Sequence, residues 1–194
     1  AGQIYGDPGR LHFEIVCDDA NVQRLVGRTS AKLNTAANGR TDAVYGSMHF
    51  RLPADTLVYP ARPALNLAQG TGGVPIGSEV FVELRYANGE GAAGNRGDAT
   101  LSTYQPDGSR IGQPLEENDA EYNLYRDANT ISQAYPPNAR PAPSAVYELL
   151  RFGRVIGPDA LNPANVPHWR RIHHPGGTGW VNLNAANVTK FSDA

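Results

Sequence analysis

The sequence has one cysteine, Cys17, one methionine, Met48, and two lysines, Lys32 and Lys190, among 194 residues. A lone cysteine leaves no disulfide partner within the chain and no Cys-x-x-Cys metal or redox pair, and it fits synthesis in a reducing compartment. The longest apolar runs are a few residues, far short of the roughly 20 that a membrane-spanning helix needs. No charged-then-apolar leader opens the chain. An excess of one charge is missing too. The net charge of -2 and pI near 6.2 give no general attraction to nucleic acid. The scarce lysines stand against 15 arginines, a bias that suits bidentate recognition and that a GC-rich gene produces equally well.

What the chain does have is 21 Gly and 15 Pro, nearly a fifth of its positions. Each costs about 1 to 3 kcal/mol inside a helix, so long helices are disfavoured. A hydrophobic fraction of 40% still supports a packed core. Alternating apolar and polar residues predict a strand over Leu11 to Cys17, and Asp18 and Asp19 then cap a short helix over Ala20 to Val26. Further strands are predicted at Tyr45 to Leu52, Thr56 to Tyr59, Ser78 to Tyr86 and Ala99 to Tyr104. Pro106-Asp107-Gly108 follows as a turn.

Glu116 to Glu121 reads as a solvated acidic loop. Tyr122 to Ile131 suits a strand or a short helix, the strand being preferred. Pro136 to Pro143 reads as extended. Val146 to Ile156 reads as a strand bent at Gly153. Trp169 to Ile172 and Gly179 to Leu183 form a last hairpin around Pro175-Gly176-Gly177. The expectation is a mainly β protein with one short helix near its start.

Few constellations carry chemistry. Gly-x-Ser-x-Gly, phosphate-cradling and paired-cysteine motifs are all missing. His12 is a candidate zinc ligand, but a catalytic zinc needs about three protein ligands. His168, His173 and His174 point awkwardly for one metal, because His173 and His174 fall on opposite faces of a strand. The reading favoured for all three is an exposed, polar hairpin. Cys17 sits among strand residues and reads as packing.

The string GRLHFEIVC resembles the closing motif of lysostaphin/LytM-type zinc peptidases, with His12 on that family's second, metal-binding histidine. Arg10 falls where the family has its first histidine, and no His in the chain has an Asp four residues on. The resemblance therefore implies zinc only if the remaining ligands lie outside this chain. The string WRRIHHPGGTGWVNL resembles bacterial Src-homology-3-like (SH3-like) barrels in Trp169, Ile172, Gly179, Trp180 and Val181. Together the two imply a zinc-peptidase-like terminal strand and helix over residues 1–30 and a linker over 31–42. An SH3-like barrel follows over 43–194, with an insertion and its hairpin at about 77–143.

Such an arrangement resembles multi-domain peptidoglycan hydrolases of Gram-negative bacteria, including type VI secretion effectors with zinc amidase, endopeptidase or lysozyme-like parts. The implied function is a peptidoglycan-associated module that binds or positions on the wall and is not itself catalytic. The alternatives are a half of a zinc amidase or endopeptidase, with His12 as ligand, or a structural linker of a secreted effector. The implied partners are peptidoglycan and neighbouring catalytic domains or a complementary N-terminal chain. Nucleic acid and membrane spans are not expected. Synthesis in the cytoplasm and action in the periplasm or a target cell are implied, as is membership of a longer protein. Trp169, Trp180, Arg170 and Tyr147 are the candidate wall-binding residues, since aromatic faces and arginine forks suit peptide recognition; the two tryptophans serve equally well as core.

Overall fold

A computed structural model of the chain describes residues 47–86, 97–155 and 160–192. The strand and helix expected over 1–30, the linker and His12 lie outside the described residues, as does most of the Gly89 to Gly97 loop. The described part is mainly β. Strands β1 (Ser47–Leu52), β4 (Val80–Tyr86), β5 (Ala99–Tyr104), β6 (Arg110–Glu117) and β9 (Thr189–Ser192) form one antiparallel sheet in the order β6-β5-β4-β1-β9. Strands β2 (Leu57–Val58) and β3 (Val74–Pro75) form a short ladder, and β7 (Trp169–His174) and β8 (Gly177–Asn182) form a hairpin. Tyr59 and Trp180 exchange backbone hydrogen bonds of 2.9 and 2.8 Å, which joins β2 to β8. All three sheets are open.

Alternation explains the central strands. Met48, Phe50 and Leu52 on β1 register with Leu84, Val82 and Val80 on β4, and all six are buried in one cluster. The β4–β5 hairpin forms where the insertion was expected, and β4 lies between β1 and β5, so it belongs to the same sheet as the flanking segments.

Two segments differ from the strand reading. Ala120–Gln133 is a helix, α1, and Pro143–Phe152 is a second, α2. In α1 the buried residues Leu124, Ala128 and Ile131 recur at helical spacing, while Tyr122 and Tyr125 stand exposed. In α2 the buried apolar set is Ala145, Val146, Leu149, Leu150 and Phe152, joined by Arg151, with Pro143 in the first turn, where a missing N–H costs nothing. Gly153 closes α2 with φ of 71°, a left-handed C-cap, so it ends a helix and bends no strand. The proline run before α2 is only partly extended, because Pro137–Ala139 forms a 3-10 turn.

Helices α1 and α2 pack together, and their apolar residues join the cluster beneath β1, β4 and β5. The acidic stretch from Glu116 spans the end of β6 and the start of α1 and is not one solvated loop.

Candidate functional site

The outer face of the β7–β8 hairpin is covered at one end by the loop 60–73. Trp169 donates its indole N–H to the Leu67 carbonyl at 2.9 Å and meets the Tyr59 ring edge-on, with centroids 5.3 Å apart. Asn182 donates to the Ala68 carbonyl at 3.3 Å. Gly73 lies so close to Tyr59 that an added Cβ would sit 2.7 Å from the phenol carbon Cζ. The loop is thereby strapped down by the ring of Tyr59, which immediately precedes it, and by Trp169 and Asn182, far later in the chain.

Beside that strap opens a cleft of about 420 Å³, lined by Asp55, Thr56, Leu57, Tyr59, Ala68, Gln69, Asn165, Asn182 and the run Asn184 to Asn187. Its amides divide into two kinds. Asn182 accepts the backbone N–H of His168 at 2.8 Å and of Asn184 at 2.9 Å through one oxygen. Asn184 donates to the carbonyls of Ala164 and Val166 at 3.0 and 2.6 Å and accepts from the Lys190 ammonium. These two amides are consumed in building the wall. Gln69 and Asn165 are exposed and make no side-chain hydrogen bond with the described residues. Asn187 donates to Asp55 Oδ1 at 3.1 Å and to Thr56 Oγ1 at 3.3 Å, which orients the one carboxylate that lines the cleft among the described residues. Lys190 is half-buried, and that burial holds its pKa below the ordinary lysine value.

Of the four residues singled out for wall binding, Trp169 and Arg170 are buried, while Trp180 and Tyr147 are partly exposed. Arg170 donates to the Tyr86 phenol oxygen at 3.1 Å and lies 3.6 Å from a Glu117 carboxylate oxygen. Burial opposes the arginine's charge, but Tyr86 and Glu117 outweigh it and raise the pKa above the ordinary value. The Arg62 guanidinium lies over the Trp180 ring, 5.2 Å from its centroid. Tyr147 packs against the core cluster on α2. The four do not converge on one surface groove.

The histidine reading needs correcting at one position. His168 is fully buried, in contact with the Phe50 ring edge, and neither ring nitrogen has a hydrogen-bond partner among the described residues. Burial, and then the charges of Arg170 and Lys190, hold its pKa well below 6.5. His173 and His174 are part-exposed, and burial followed by the neighbouring His173 lowers the pKa of His174.

Among the described residues, no group of three His, Cys, Asp or Glu side chains is placed to hold a metal. No described helix is long and apolar enough to cross a membrane. Sequence reasoning missed the cleft, because its residues come from four separate segments of the chain. The one available signal was the asparagine density of Asn182, Asn184 and Asn187 at and after the end of the hairpin's last strand. No protein-family model, no curated protein and no solved structure matches the chain.

Proposed function

We propose that this chain is a peptidoglycan-associated module of a bacterial cell-wall hydrolase, holding the wall while a neighbouring domain cuts it. The observation that carries the reading is the amide-rich cleft between the strapped loop and the Asn184 to Asn187 turn. Amide and hydroxyl side chains match the alternating donors and acceptors of a peptide or aminosugar, and a concave wall with a few convergent polar groups is the usual form of a ligand site. No basic side chain lines the cleft among the described residues, which disfavours phosphorylated or nucleic-acid ligands.

The finer fold belongs to the same proposal. The ordered Trp169, Ile172, Gly179, Trp180 and Val181 of the β7–β8 hairpin, and its junction with β2, support an SH3-like unit enlarged by β4, β5, β6 and the helices. Partly exposed Trp180, with Arg62 over it, supports an aromatic contact near the cleft. The reading also carries the periplasm, or a target cell reached by secretion, as the place of action.

Co-sedimentation with purified sacculi tests the proposal. The wild-type protein is expected in the pellet, and a Gln69→Ala/Asn165→Ala double variant mostly in the supernatant with its melting curve unchanged. A wild-type protein that stays in the supernatant would refute it.

A further inference from the structure

Among the described residues, Asp55 is the one charged side chain that lines the cleft, and its setting is specific. Asp55 sits in the turn closed by the Thr56 N–H to Pro53 carbonyl hydrogen bond of 2.9 Å. Its Oδ1 is held by Asn187 at 3.1 Å, while Oδ2 receives no hydrogen bond from the described residues. The carboxylate is thus oriented, exposed and only half satisfied. Lys190, the nearby ammonium, is not a lining group and is already engaged by Asn184. Gln69 and Asn165 line the same space and offer both donors and acceptors.

We infer that the cleft selects a peptide bearing a free primary amine, with the ammonium against Asp55 and the neighbouring peptide amides against Gln69 and Asn165. This rests on the reading of the cleft as the wall-binding site, and it narrows the ligand to an amine-bearing peptide. A charged hydrogen bond between ammonium and carboxylate is stronger than a neutral one, and the amides fix the register in which it forms. A chain whose side-chain amine has been acylated presents no cation and is discriminated against. The module would therefore favour strands whose amines are still unjoined.

The test compares a lysine tripeptide, acetylated at its N-terminus and amidated at its C-terminus, with the same peptide acetylated on the side-chain amine. Binding is read by calorimetry or by amide shifts. The free-amine peptide is expected to bind the wild-type protein more tightly, by on the order of tenfold. Asp55→Asn keeps the acceptor for Asn187 and is expected to erase that preference while the melting curve stays in place. Equal binding of the two peptides, no binding of either, or an undiminished preference in Asp55→Asn overturns the inference. Sacculus sedimentation separates this from the broader reading. Wild-type protein in the pellet together with equal peptide affinities leaves wall binding standing and removes only the amine selection. Wild-type protein in the supernatant removes wall binding, while the peptide comparison still decides the amine.

Discussion

The guanidinium of Arg170 ends on the phenol oxygen of Tyr86, 3.1 Å away and 84 positions earlier in the chain. That phenol donates in turn to the Leu150 carbonyl at 3.2 Å, and the Arg151 guanidinium lies over its ring, 4.5 Å from the centroid. One buried tyrosine therefore ties together β4, β7 and the end of α2. An arginine placed on the surface by sequence reasoning serves as an internal tie.

Tyr86→Phe should destabilise the protein by about 1 to 3 kcal/mol, because a buried Arg170 donor and the Leu150 carbonyl both lose their partner. Arg170→Lys should not restore the arrangement, since an ammonium lacks the planar fork that reaches both Tyr86 and Glu117. Urea midpoints for the two variants check this, and a Tyr86→Phe midpoint equal to wild type would sink it.

Acid should unfold the protein partly through His168. Its folded pKa lies well below that of the unfolded chain, so the folded state refuses a proton that the unfolded state accepts near pH 6.5. Above that pH the residue contributes no pH dependence. As pH falls below it, stability drops by up to about 1.4 kcal/mol per pH unit until the folded-state value is passed. Denaturation at pH 7.5, 6.0 and 5.0 should show a steeper loss for wild type than for His168→Leu. Parallel curves would show that another group governs the acid response.

Gly73→Ala should loosen the strap over the hairpin. The new methyl carbon would meet the Tyr59 ring, which Trp169 holds from another side, so the loop must lift or the ring must turn. A loss of about 1 to 3 kcal/mol is expected for such overpacking. Tyr59 also lines the cleft, so sacculus binding should weaken in the same variant. Unchanged melting and unchanged sedimentation would contradict both.

The two tryptophans should separate cleanly. Trp169 is 2% exposed, and its replacement by Ala should cost about 3 to 5 kcal/mol. Trp180 is partly exposed beneath Arg62, and Trp180→Ala should mainly reduce wall binding. Paired measurements of thermal midpoint and sacculus sedimentation decide this; a fold collapse in Trp180→Ala would place it with the core.

The β4 strand was legible because Val80, Val82 and Leu84 alternate without interruption, although in the fold Phe81 and Glu83 between them are buried as well. The β7–β8 hairpin was legible from its Pro-Gly turn. The helices were less so. In α2 the consecutive Leu149 and Leu150 fit a strand buried on both faces as well as one helical stripe, and only Pro143 and Gly153 mark the ends of a helix. Strand β6 carries Gly112 and Pro114 and little alternation, so it exists because β5 offers a free edge to pair with.

The sequence by itself determined the mainly β class, the central strands and the last hairpin, since those follow from local periodicity and turn chemistry. It also excluded, through its single cysteine, any disulfide within the chain. Only the tertiary structure decided that Arg170 and His168 are interior and that Asp55, Gln69 and Asn165 share one cleft. Burial of a polar side chain and convergence of separate loops depend on long-range packing, and no local spacing along the chain encodes either.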